Sequence, residues 1–126
     1  MTDDVVTLEE VRREALGLPR SYEALVRGRV KFRVGRLVYL AASRDETLLG
    51  FAFPKEEREA LVESEPDKFM LPKPGDMRYH WAVVRLAAVD RDEMGEIVFQ
   101  AWRMVVPKFL AEEVRRRRPS PSPEEA

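Results

Sequence analysis

The chain has 126 residues, of which 44% are apolar and 36% charged, with a formal net charge of −1 and no cysteine. That length suits one domain with its own core, the apolar content excludes global disorder, and the near-zero charge argues against a general nucleic-acid-binding surface. Without cysteine there is no disulfide, thiolate metal site or cysteine nucleophile, which fits a reducing cytoplasm; no apolar run approaches the roughly 20 residues of a membrane helix, and the opening MTDDVVTLEE has no secretory-signal pattern.

Thr7 and Glu10 have capping-box spacing, with Val6 and Val11 placed as a hydrophobic staple. A first helix is therefore expected after Thr7, with Leu8, Val11, Ala15 and Leu16 on one face, and it ends at Gly17 and Pro19. Residues 22–53 read as an antiparallel meander. Gly35-Arg36 fits a type II′ hairpin turn between Val34 and Leu37. In that register Val30, Phe32 and Val34 share a face with Leu37, Tyr39 and Ala41, and Lys31 and Arg33 lie beside Val38 and Leu40. SRDE (43–46) is the next turn, followed by a strand TLLGFAF (47–53) in which Gly50 marks a bulge or a close approach. Pro54 suits the first position of a helix that runs to about Ser64.

KFMLPKPGD (68–76) is interrupted by prolines and reads as a loop. RYHWAVVRL (78–86) reads as a strand, with Tyr79, Trp81, Val83 and Arg85 on one side. A second capping box, Asp90 with Glu93, opens a long helix whose buried face is Met94, Ile97, Val98, Ala101, Trp102 and Val105. Pro107 breaks it, and KFLAEEVRRRR continues as a shorter helix. PSPSPEEA (119–126) reads as a disordered proline- and serine-rich tail after a single domain at 1–118. A helix, about five antiparallel strands interrupted by a helix, and closing helices make an α+β two-layer sandwich, with the N- and C-terminal helices packed on the sheet.

Charge is segregated along the chain. Residues 27–44 hold six basic side chains, Arg27, Arg29, Lys31, Arg33, Arg36 and Arg44, and no acid. Lys73 and Arg78 add to them, whereas residues 45–69 hold eight acids against three bases. In RGRVKFRVGR (27–36) the basic side chains alternate with apolar ones, so a cationic stripe backs an apolar one. Two readings stand: the solvated side of an edge strand that resists aggregation, or a contact surface for phosphates, helped by Arg36 and Arg44 at turns. Tyr39, Phe51, Phe53, Tyr79 and Trp81 could stack on bases, but strand aromatics in a small sandwich read first as core. Leu40, Leu49, Phe51 and Phe53 could instead form an exposed apolar sheet face that needs a protein partner or a second copy.

No catalytic constellation emerges. His80 is the only histidine and has no partner at metal-ligand or acid–base spacing. No glycine-rich phosphate loop joins a strand to a helix, and Ser21, Ser43 and Ser64 lack a nucleophile context. Arg115 to Arg118 favour a helix C-terminus and could also add affinity for phosphates.

VRREALGLP (11–19), VKFRVGRLVYL (30–40), FPKEEREALVESEPDKF (53–69), RYHWAVVRL (78–86) and EMGEIVFQAWRMVVPK (93–108) occur in an order and spacing that resemble the bacterial MmcQ/YjbR family, over about residues 8–112. The resemblance implies a frataxin-like (CyaY-like) fold and DNA binding through a double-wing arrangement of hairpins. It brings no catalytic residue and no cofactor. GFAF (50–53) departs from it where many members carry a basic residue. The frataxin-like fold also raises weak iron binding by Asp3, Asp4, Glu9, Glu10 and Glu14, although Arg12 and Arg13 interrupt that ridge.

The leading expectation is thus a cytoplasmic, non-enzymatic protein that binds DNA weakly and in a salt-dependent manner. Its contacts are drawn from Arg27, Arg29, Lys31, Arg33, Arg36, Arg44, Lys73 and Arg78, without metal or cofactor. A protein or small-ligand module using the sheet face is the alternative, and iron binding the third.

Overall fold

Turn chemistry and alternation set the fold, which a computed structural model describes for residues 5–118. The elements are helix α1 (Leu8–Leu16), strands β1 (Ser21–Val26), β2 (Arg29–Val34), β3 (Leu37–Ala42) and β4 (Leu48–Ala52), helix α2 (Arg58–Ser64), the short strand β5 (Phe69–Met70), strand β6 (Trp81–Arg85), and helices α3 (Arg91–Arg103) and α4 (Lys108–Arg117). The strands form one open antiparallel sheet in the order β1-β2-β3-β4-β6-β5. This is the α+β arrangement that the pattern implies, with one strand more than the five expected. The extra strand, β5, falls in the segment read as loop, because two residues are too few to carry a period. The tail at 119–126 and Asp3 and Asp4 lie outside the described residues.

Helix α1 starts as expected. The Thr7 backbone N–H donates to Glu10 Oε1 at 2.9 Å, and Val6 and Val11 are both buried. Helix α3 starts with half of the expected box. The Glu93 N–H donates to Asp90 Oδ1 at 2.8 Å, but the Glu93 carboxylate turns to Lys68 Nζ at 2.9 Å. Helix α2 begins at Arg58 rather than Pro54, because Pro54 to Glu57 close a separate turn through Glu57 N–H to the Pro54 carbonyl. Strand β6 begins at Trp81, so Arg78, Tyr79 and His80 belong to the preceding loop. Leu16 is exposed, and Leu18 beyond the helix is buried in its place. Val105 follows the end of α3, while Phe99, absent from the expected face, is fully buried.

The hairpin at Gly35-Arg36 forms as expected, with left-handed φ of 60° at Gly35 only. Its register holds for Val34 opposite Leu37 and Arg33 opposite Val38, then slips by one residue, so that Phe32 faces Leu40 and Lys31 faces Ala41. The slip is a bulge. It reconciles two consecutive side chains, Tyr39 and Leu40, that are both fully buried. Simple alternation had separated them.

The helices cover one sheet face. Under them lie two cross-strand rows, Phe32-Leu40-Phe51-Ala82 and Ala42-Leu49-Val84-Phe69, which are almost fully buried. Helix α3 packs on β3, β4 and α1 and brings in Met94, Val98 and Trp102. Each large side chain so buried contributes about 1.5–3 kcal/mol. Leu40, Leu49 and Phe51 therefore face the helices and are not the exposed apolar patch considered above. Phe53, half-buried, packs edge-on against Phe51 at 5.9 Å. The opposite row, Lys31-Ala41-Gly50-Val83-Met70, belongs to the open face.

Candidate functional site

Alternation along β2 puts Arg29, Lys31 and Arg33 on the open face, because Val30, Phe32 and Val34 between them turn to the core. Arg27 is not part of that stripe. It forms the β1–β2 turn with Gly28, both left-handed at φ 54° and 78°, as a type I′ turn requires. In a meander, alternate turns lie at the same end of the sheet. The Arg27-Gly28 turn and the β3–β4 turn that carries Arg44 therefore lie together, and Arg36 lies at the far end. Arg29 Nε donates to the Ala42 carbonyl at 3.1 Å, which steers its guanidinium toward the Arg44 turn. That turn is built by Asp45, whose Oδ1 accepts from Ser43 Oγ, Thr47 N–H and Thr47 Oγ1. These bonds hold the Asp45 carboxyl below its usual range, so it stays ionised as a turn-former.

Loop 71–80 folds back over part of the open face. Between it and the sheet lies a groove of about 340 Å³. Its cationic members are Arg29, Arg44 and Lys73, and its floor includes Ala41, Gly50 and Val83. Trp81 lies against Gly50 so closely that a Cβ there would sit 2.6 Å from the indole Nε1. Gly50 thus marks a close approach, and the bare backbone makes room for an aromatic side chain on the open face. Asp76 is the carboxylate on the groove wall.

Three of the eight sequence-derived candidates, Arg29, Arg44 and Lys73, meet in this groove. Lys31 neighbours it through Ala41, and Arg27 stands at the adjoining tip. Arg33 lies between Tyr22 and Val38, with its Nε buried and without a hydrogen-bond partner among the described residues. Arg36 and Arg78 are not brought into the groove. Arg78 lies over the Tyr79 ring at 4.8 Å and donates to the Tyr79 hydroxyl at 2.7 Å.

None of these eight cations forms an ion pair among the described residues. On the helix side Arg13, Arg103, Lys108 and Arg116 are likewise unpaired among the described residues, whereas Arg12 pairs with Glu9 and Glu23, Lys68 with Glu65 and Glu93, Arg91 with Glu10, and Arg115, Arg117 and Arg118 with Glu96 or Glu113. Glu9 and Glu10, two of the acids behind the iron reading, are thus already engaged by arginines. The Glu23 carboxyl is held below its ordinary value, first by its hydrogen bond from Arg12. Tyr39 meets Ser21 through their hydroxyls at 2.5 Å, and burial raises its pKa to about 12.

Arg58 escaped the sequence reading. Inside KEERE it looks solvated, yet it is 5% exposed. Its guanidinium donates to the Tyr79 and Trp81 carbonyls at 2.8 and 3.1 Å, and to Met77 O. Lys55 adds a bond from Nζ to the Arg78 carbonyl, and its N–H donates to His80 Nδ1 at 3.0 Å. Together they anchor the loop that walls the groove. His80 acts there as an acceptor, a structural use consistent with its isolation in the sequence.

Residues 16–104 match the family model described as YjbR. No curated protein matches the chain. Among solved structures, the crystal structure of Deinococcus radiodurans protein DR2400, with a domain described as DUF419, is similar at a TM-score of 0.70 and 21% identity. The match covers 91% of this chain and 92% of that one, and it is a likeness of fold. No helix among the described residues is long and apolar enough to cross a membrane.

Proposed function

The chain belongs to the YjbR family, and on that premise we propose that it is a non-enzymatic, cytoplasmic protein that binds DNA through the phosphate backbone. The contact surface is the open sheet face at the Arg27–Arg44 end. The observation that carries this reading is the unequal fate of the charges. On the helix side Arg12, Lys68, Arg91, Arg115, Arg117 and Arg118 are paired with carboxylates, whereas Arg27, Arg29, Lys31, Arg44 and Lys73, gathered at one end of the open face, have no ion-pair partner among the described residues. An unneutralised cluster keeps a positive field that a net charge of −1 conceals. The acidic first and middle helices then face away from the nucleic acid, as repulsion requires. Hairpin ends without a base-reading helix contact phosphates and not base edges, so the binding depends little on sequence.

If all five cations neutralise phosphates, log K for duplex DNA falls against log salt with a slope of about −4 to −5. Replacing Arg29, Arg44 and Lys73 together by Gln is expected to flatten that slope by about 3. The Arg36→Gln, Arg78→Gln pair is expected to leave it unchanged, because neither residue joins the cluster. A salt titration of duplex binding on the three proteins reads this directly. Absence of binding at low salt, or equal slopes for the triple variant and the unaltered chain, counts against the proposal.

A further inference from the structure

We infer that the Trp81 groove takes one unpaired base, so that the protein prefers single-stranded DNA to duplex. This rests on the phosphate-binding reading above and adds the form of nucleic acid recognised.

The groove is polarised along its length. Arg29 and Arg44 lie at the end where β4 starts, next to Leu48, and Trp81 lies over Gly50. Leu48 and Gly50 are two strand residues apart, about 7 Å, short enough for one nucleotide to put its phosphate among the guanidiniums and its base beside the indole. The volume, about 340 Å³, falls within the roughly 300–1,000 Å³ of small-ligand clefts. An apolar floor of Ala41, Gly50 and Val83 suits a flat heterocycle and gives a phosphate nothing to bond. Asp76 on the wall repels a phosphate and can accept from a base N–H, which fixes the same orientation. In a duplex the base faces are stacked and cannot enter such a groove, whereas an unstacked base enters at no pairing cost. Loop 71–80, pinned by Arg58 on the Met77 and Tyr79 carbonyls, holds the slot open before any ligand arrives.

The chain reports on this site itself. Trp81 is half-buried in the groove, and the other tryptophan, Trp102, is fully buried in the core with its indole N–H on the Pro19 carbonyl at 3.0 Å. The probes are an oligothymidylate single strand and a duplex of the same length, titrated at low salt while tryptophan emission is followed. The single strand is expected to bind about tenfold tighter and to quench the emission, and the duplex to bind without quenching. Trp81→Leu is expected to remove the quench and the tenfold preference for the single strand. Equal affinity for the two probes, or no quench with the single strand, overturns the inference on the unaltered chain, whether or not the variant folds. If duplex binding with its steep salt slope survives that result, the phosphate-binding reading stands alone; if neither probe binds, both fall.

Discussion

At Gly50 and Trp81 one residue's missing side chain is the other's resting place. Gly50→Ala puts a methyl group against the indole at 2.6 Å. The substitution is expected to cost about 1–3 kcal/mol, as overpacking does. In a Trp81→Leu background most of that cost is expected to vanish, and a double-mutant cycle by urea unfolding measures the difference. Glu23 offers a second reading at this scale. Its carboxylate accepts two bonds from Arg12, at 2.7 and 2.9 Å, and its folded-state pKa lies below the ordinary 4.5. A depressed carboxyl stabilises the fold fully above its unfolded pKa and loses that stabilisation as pH falls through the folded one. Stability of the unaltered chain is therefore expected to fall below pH 4.5 more steeply than that of Glu23→Gln, in urea titrations at stepped pH. Gly50 was legible in the sequence because a glycine inside a strand has few explanations. Arg58 was not, because burial of a charged side chain is decided by backbone carbonyls of a distant loop.

Elements divide in the same way between local and distant causes. The cap at Thr7, the II′ turn at Gly35-Arg36 and the SRDE turn rest on neighbours in sequence, and all formed where the pattern put them. The bulge that carries Tyr39 and Leu40 into the core, the two-residue β5 and the late start of β6 depend on what the helices and loop 71–80 pack against. The Arg27-Gly28 turn lies between these cases. Gly28 invites a turn, but an arginine at φ 54° is an unusual first residue for one. A left-handed residue other than Gly, Asn or Asp costs about 1–2 kcal/mol. Arg27→Asn is expected to stabilise the fold by about 0.5–1 kcal/mol in denaturant unfolding. The same variant is expected to flatten the DNA salt slope by about 1, so that stability and binding move in opposite directions.

On the scale of the molecule, the unpaired cations of β2 and its neighbouring turns gather on the open face, whereas the helices mix both signs. The segregation was visible along the chain as a basic stretch at 27–44 followed by an acidic one at 45–69. What the sequence could not settle is which cations meet. Arg36 is separated from Arg27 and Arg44 because successive turns of a meander fall at opposite ends of the sheet, and Lys73 joins them only because its loop folds back over the strands. The candidate site was therefore legible as a charge type on β2, and its assembly from β2, a turn and a distant loop was not.

The order β1-β2-β3-β4-β6-β5 also has a kinetic meaning. The first three pairings close through short turns, but β6 can join β4 only after residues 53–80 have been spanned. Closing that longer loop costs about 2 kcal/mol more than closing a hairpin. The four-stranded meander is thus the natural nucleus, and the edge made by β6 and β5 condenses onto it afterwards. Phe32→Leu is expected to slow refolding, with a φ-value above about 0.5, whereas Val84→Ala is expected to act mainly by speeding unfolding. Stopped-flow chevrons on the two variants distinguish this order from its reverse. In the late-closing order, the slot beneath Trp81 is the last part of the molecule to exist.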